Sequence, residues 1–211
     1  MNLLADNDAV VKLAQCRLLR EVLDCFDNGS RYSITPTFFP WLRRRLKQNR
    51  VPSTVADEIS TLELGVVTLN ATQLEIVQQI SSPKLDAGEV VLISAAFDQS
   101  NAVVCTGDKR AMRALANHPL INKFAEGFQG KFLCIEHALL LAINHHGFFH
   151  VRDKVALGLK EGFSLDTAIC SAFGSGMHAS EDNAKSALLA YVEDLRKDAG
   201  ELLFNNGSTD L

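Results

Sequence analysis

Five carboxylates fall in three short turns of the chain: Asp6 and Asp8 in "LLADNDAVV", Asp86 and Glu89 in "LDAGEVVL", and Asp108 in "CTGDKR". The first and last of these turns follow short apolar runs of strand character. The middle one heads the apolar segment "EVVLISAAF". Gathered in one cleft, carboxylates repel by roughly 1 kcal/mol per pair at 4 Å even in water, and by more in a lower dielectric. A divalent cation is the simplest compensation. Mg²⁺ or Mn²⁺ takes hard oxygen ligands and can activate a water against a phosphodiester while neutralising the charge that develops.

Each acid also has a local use. Asp6 or Asp8 can cap the helix that follows, Asp86 and Glu89 have the spacing of a capping box, and Asp108 suits the first turn of a helix. What a cap does not explain is why three acidic turns recur in one alternating frame. Beside them, "WLRRRLKQNR" places Arg43, Arg44, Arg45, Lys47 and Arg50 close to Trp41, a candidate phosphate-binding face that also reads as an ordinary solvated helix. His145, His146 and His150 in "NHHGFFH" have metal-like spacing only if a helix continues through Gly147, and the glycine is expected to end it.

The elements that must position these residues follow from periodicity. A strand is predicted over residues 3–5, then one helix carrying Val10, Leu13, Ala14, Leu18, Leu19, Val22 and Leu23 at helical spacing. "RYSIT", "GVVTL", "AVVCT" and "KFLCI" read as further strands. Between them lie helices at "TFFPWLRRRLKQN" with Pro36 in the first turn, at 52–62, at 70–80, at "EVVLISAAF" and at "GDKRAMRALAN". Strands alternating with helices predict an α/β class with a parallel sheet covered on both faces. In such sheets chemistry collects outside the carboxyl ends of the strands. From residue 137 the pattern is helical only, ending in a long helix capped by Ser180 and a tail, "NNGSTDL", expected to fray.

The chain has 211 residues, 47% hydrophobic and 22% charged, which excludes disordered and fibrous classes. A formal net charge of −4 argues against a generally basic nucleic-acid binder while permitting a local basic patch. Cys16, Cys25, Cys105, Cys134 and Cys170 are scattered and odd in number, so they read as core residues of a reducing, cytoplasmic compartment. The opening apolar run lacks a basic flank and is interrupted by Asp6, which reads as a strand rather than a signal peptide. No segment reads as spanning a bilayer.

"LLADNDAVVKLA", "LDAGEVVLISAA" and "VVCTGDKRAMRAL", in this order, resemble the first, third and fourth signature segments of the PIN-domain family, metal-dependent nucleases acting mainly on RNA. The resemblance covers residues 1–136 and implies a PIN-like domain, with residues 137–211 as a helical C-terminal extension. It implies Asp6, Glu89 and Asp108 as catalytic acids holding Mg²⁺ or Mn²⁺, with Asp8 and Asp86 as further ligands. Thr106 and Lys109 would flank the site and touch phosphate, and Arg43, Arg44 and Arg45 would hold RNA. The expected function is a cytoplasmic endoribonuclease leaving a 3′-hydroxyl and a 5′-phosphate, with an antitoxin or other protein partner and self-association as further expectations. The chain departs from the family at the second acid, because no carboxylate lies between Arg31 and Asn49. Asp57, Glu58 or Asp8 would have to substitute. The alternative is a catalytically inactive PIN-like module that binds RNA or protein.

Overall fold

A computed structural model describes residues 1–26, 29–119, 121–163 and 165–205. All but the first residue of the C-terminal tail lies outside the described residues. Strand β1 (Asn2–Ala5) opens the chain and hands over to helix α1 (Asn7–Gln15). The apolar periodicity from Val10 to Leu23 does not form the single helix expected. Arg17 adopts a left-handed φ of +57°, which splits the stretch into α1 and α2 (Leu19–Asp24).

Strand β2 (Arg31–Ile34) leads into α3 (Phe38–Lys47), which starts two residues beyond Pro36. The proline in its first turn is Pro40, at a position whose missing N–H has no partner within the helix. Helix α4 (Ser53–Ser60) precedes strand β3, which is only Gly65–Val66 rather than all of "GVVTL". The chain leaves the sheet there because Asn70 starts α5 (Ala71–Ile80) with a reciprocal capping box to Gln73. Gly65 also sits where a Cβ would lie 2.7 Å from the Ser33 hydroxyl.

Helix α6 (Ala87–Ala96), strand β4 (Ala102–Thr106) and helix α7 (Lys109–Ala116) match the expected pattern. Helix α6 is apolar nearly all round, and accordingly Leu92, Ile93, Ala95 and Ala96 are all buried. An additional helix, α8 (Ile121–Phe128), fills the connection to strand β5 (Phe132–Cys134). Its Gly127 lies against the Phe97 ring, which occupies the space a Cβ would need. The five strands form one parallel sheet in the order β3-β2-β1-β4-β5. The order reverses between β1 and β4, so their carboxyl ends define a topological switch point.

Helices α9 (Ile135–His146), α10 (Phe148–Lys160), α11 (Thr167–Phe173) and α12 (Glu181–Ala199) complete the chain. They share the core of the sheet domain. Helix α12 packs on α9, α11 and α7 through a stripe of Ala184, Leu188, Val192, Leu195 and Ala199, all buried. Gly158 of α10 closes against the Gln15 carbonyl, an approach that any Cβ would block. The Arg17 kink is braced from the same helix, since Lys154 donates to the Arg17 carbonyl at 3.2 Å and Glu161 pairs with its guanidinium. The chain then returns to the sheet edge, where the Phe204 amide donates to the Phe132 carbonyl at 2.7 Å. All five cysteines are free thiols, and burial pushes Cys16 and Cys134 up to about 12. Among the described residues, no helix is long and apolar enough to cross a membrane.

Candidate functional site

The carboxyl ends of β1 and β4 lie side by side, with Ala5 paired to Cys105 and the Asp6 amide donating to the Cys105 carbonyl at 2.9 Å. This brings the first and last acidic turns together although about a hundred residues separate them. Asp6 is the N-cap of α1 and accepts from the Asn7 amide at 2.8 Å. Asp108 caps α7, accepting from the Arg110 amide at 2.8 Å and the Ala111 amide at 3.3 Å. Asp86 and Glu89 form a capping box on α6: the Glu89 amide donates to Asp86 at 2.8 Å, and the Asp86 amide donates to Glu89 Oε2 at 2.7 Å. Three helix N-termini therefore converge, and their dipoles favour negative charge in the space between them.

The local roles as caps coexist with strong mutual electrostatics. Burial raises Asp6 from 3.8 to about 6, and the Asp8 and Asp86 carboxylates push the same way. Burial also raises Glu89 from 4.5 to about 7, reinforced by Asp86, Asp108 and Asp6. The desolvation has a visible source. Asp6 and Glu89 line a crevice of about 10 Å³ walled by Leu92, Ile93, Val104, Ala111, Met112 and Phe132, a space that holds one water at most. Their outer side opens differently. Glu89, Asp86 and Asp108 border a groove of about 800 Å³ between α6 and α7, with Lys84, Arg110, Arg113 and Asn117 on its walls.

Two cations inside the chain offset the remaining repulsion. Burial disfavours the charged form of Asp108, but hydrogen bonds from the Arg110 guanidinium and from the Arg110 and Ala111 amides outweigh it and hold the carboxyl below the usual range. Lys12 lies 2.7 Å from Asp8 and 2.7 Å from Asp166, which reaches the site from the N-cap of α11. Burial alone would lower Lys12, yet these two carboxylates raise it. Gly107 makes room for this bridge, because a Cβ there would meet Lys12 Nζ at 3.0 Å and Asp8 Oδ2 at 3.3 Å.

The structure thus brings Asp6, Asp8, Asp86, Glu89 and Asp108 to the strand ends, and it sends other expected residues elsewhere. Lys109 turns to the buried Glu136 and lies 4.5 Å over the Tyr191 ring, so its ammonium serves the packing of α9 and α12. Thr106 is buried and accepts from the Asp108 amide at 3.0 Å, fixing the turn rather than reaching outward. Arg43 and Arg44 are exposed on α3, and Arg45 lies 5.3 Å over the Trp41 ring. All three sit beyond the first turn of a helix that runs away from the strand ends, and Arg44 and Arg45 lie in its last turn, where cations also suit the C-terminal dipole.

At the end of β2 there is no acid. Thr35 and Thr37 hydroxyls, 3.1 Å apart, stand there instead, with Thr35 donating weakly to Asn7 at 3.4 Å. Asp57 is exposed on α4, which packs on α1 through Val55 and Ile59. His146 and His150 tie α9 and α10 to Glu21, at 2.9 Å from its carbonyl and 3.3 Å from its carboxylate, and Gly147 with φ +87° separates the two helices as expected. Among the described residues, no group of three or more His, Cys, Asp or Glu side chains is placed so that it could hold a metal ion. Lys12, Arg110 and Asp166 are site residues that the sequence did not disclose: Asp166 carries only the signal of one more helix cap, in a distant segment. Comparison with family models, with curated proteins and with solved structures finds no match to the chain.

Proposed function

We propose that this chain is a Mg²⁺- or Mn²⁺-dependent endoribonuclease acting from the cleft at the ends of β1 and β4. The observation that carries the reading is the pair of carboxylates, Asp6 and Glu89, raised to about 6 and about 7 beside Asp108 and Asp86 at a topological switch point. Groups in that condition exchange protons for a hard cation, and perturbed carboxylates in a cleft are a mark of functional sites. The parallel order β3-β2-β1-β4-β5 is consistent with the PIN-like fold that the sequence resembles.

Asp6, Glu89 and Asp108 would hold the cation, with Asp8 and Asp86 adjoining. Once bound, such an ion supplies neutralisation of phosphate charge and a water acidified toward neutral pH. The chain's own residues do the rest. Glu89, raised by burial and by Asp86, Asp108 and Asp6, is the carboxylate whose ionised form gains most from a neighbouring positive charge. The converging N-termini of α1, α6 and α7 offer a field that suits a phosphate, and the groove between α6 and α7 gives a strand access to the acids. The exposed cations of α3 add affinity without sequence preference.

The test is incubation of labelled single-stranded RNA with the protein and with an Asp6→Asn, Asp108→Asn double variant in Mn²⁺, Mg²⁺ or EDTA. Cleavage that needs metal and disappears in the double variant supports the reading; no cleavage of structured or unstructured RNA under any condition removes it. A second reading, a non-catalytic binding module, draws on the acids' use as caps and on the hydroxyls in place of an acid after β2. It expects RNA or protein binding that persists in EDTA.

A further inference from the structure

Arg43, Arg44, Arg45, Lys47 and Arg50 lie close together on α3 and its exit, and no Asp or Glu lies between Arg31 and Ala56. Other cations of the molecule lie against carboxylates, as at Lys12, Arg17, Arg113 and Lys154. Among the described residues, none of these five has such a partner. Arg45 rests on the Trp41 ring, whereas Arg43, Arg44, Lys47 and Arg50 are exposed. The dipole of α3 suits Arg44, Arg45 and Lys47 in its last turn, but Arg43 lies outside that turn. Arg43 and Lys47 also stand four residues apart, a like-charge spacing that costs a helix stability. A polyanion laid along this face would offset that cost.

The same face carries an aromatic ring. Phe38 and Leu42 turn α3 into the core, which leaves Phe39, Arg43 and Lys47, one turn apart from each other, along one exposed edge of the helix. Phe38 is fully buried, but Phe39 is 44% exposed and meets the Phe38 ring edge-to-face at 5.4 Å. A lone exposed apolar residue is ordinary. A ring followed by partnerless cations at the next two turns is the arrangement that holds an unpaired strand, because the cations track phosphates while a base stacks on the ring. From Phe39 to Lys47 this edge spans about 12 Å. Its start lies beside the acidic cleft: Thr35, at the end of β2, donates to Asn7 of α1 at 3.4 Å, and a Cβ on Gly88 of α6 would come 4.0 Å from the Thr35 methyl.

We propose that this edge of α3 is a binding surface for single-stranded RNA, with Phe39 as the platform for one base and Arg43 and Lys47 as contacts to the phosphates beside it. A duplex does not fit the ring, because its bases are stacked on one another, whereas RNA loops and ends supply bases free to leave the stack. The surface needs neither a divalent cation nor catalysis, so it stands whether the cleft cleaves RNA or the chain is a binding module. It also goes beyond a general attraction of α3 for phosphate. Charge alone would hold paired and unpaired strands alike, and stacking on Phe39 makes the surface select the unpaired one.

The experiment is fluorescence anisotropy of a labelled, mixed-sequence single-stranded RNA and of its duplex, with the full chain in EDTA and over a range of salt, so that neither metal nor turnover contributes. The variants are Phe39→Ala, Phe39→Trp, and Arg43→Gln combined with Lys47→Gln. All three residues are exposed, so the fold is expected to persist, which circular dichroism checks. The proposal expects Phe39→Ala to weaken single-strand binding about five- to a hundredfold, the loss of one stacked base, with the salt slope unchanged. Phe39→Trp is expected to keep the affinity, and duplex binding to be weaker and indifferent to both changes. Arg43→Gln with Lys47→Gln is expected to reduce the single-strand salt slope by about 1.4, two phosphate contacts. Single-strand affinity unchanged in Phe39→Ala, or reduced equally for the duplex, overturns the platform. Polyglutamate that displaces the labelled RNA as well as unlabelled RNA does overturns RNA as the occupant. No RNA binding in EDTA overturns the proposal as a whole, and metal-dependent cleavage would then still support the nuclease reading on its own.

Discussion

At the scale of single residues, the molecule stores carboxylates in two ways. Asp8 and Asp108 are neutralised by Lys12 and Arg110, while Asp6 and Glu89 are held toward their protonated forms by burial and by each other. A carboxyl whose value is raised on folding stabilises the folded state below its unfolded value, and this contribution is lost as pH rises through the folded one. For Asp6 the loss runs from about pH 4 to about pH 6. Asp6→Asn keeps the capping oxygen and removes the charge, so it is expected to leave stability unchanged at pH 3.5 and to raise it by about 2–3 kcal/mol at pH 8. Urea unfolding at the two pH values checks this. Lys109 makes a contrasting case. Lys109→Met leaves the buried Glu136 without its partner and is expected to cost about 3 kcal/mol while leaving Mn²⁺ affinity unchanged. Loss of metal affinity with stability intact would instead place its ammonium at the site.

At the scale of elements, the alternation of strands and helices was legible because each strand is a short apolar run and each major turn carries its own cap: Asp6, Asn70, Asp86 and Ser180 all cap the helices expected of them. Asp6 and Asp108 were legible at the strand ends for the same reason, since each caps the helix that directly follows its strand, whereas Asp86 and Glu89 head a helix that follows another helix. What was not legible depends on contacts distant in sequence. The break at Arg17 is braced by Lys154 and Glu161, and Asp166 reaches Lys12 from more than a hundred and fifty positions away. The basic run of α3 was visible as composition, but its placement was not. With its charges beyond the first turn of α3, Arg43→Glu with Arg44→Glu is expected to weaken RNA binding across sequences and flatten its salt dependence, with Mn²⁺ affinity unaffected. Filter binding at several salt concentrations reads the first effect and calorimetry the second.

At the scale of the whole molecule, the helical segment after residue 136 is structural to the site. Its α12 lies against α7, its Asp166 holds Lys12, and its Phe204 amide bonds to edge strand β5. Leu188 of α12 is fully buried in the common core, and Leu188→Ala is expected to cost about 2–5 kcal/mol. If the core is one cooperative unit, far-ultraviolet circular dichroism and Trp41 fluorescence shift together in that variant; separate transitions would divide the sheet from the helices. The central claim is that this assembled cleft takes a divalent cation through its raised carboxylates, and a single calorimetric measurement addresses it. Mn²⁺ is titrated into the unaltered chain at pH 6.5 in two buffers of different ionisation heat, with Asp6→Asn as control. The account predicts a saturable binding event that releases about one proton, because Asp6 and Glu89 are partly protonated at that pH, and that is lost in Asp6→Asn. Absence of binding, or binding of equal strength without proton release in the variant, would contradict it.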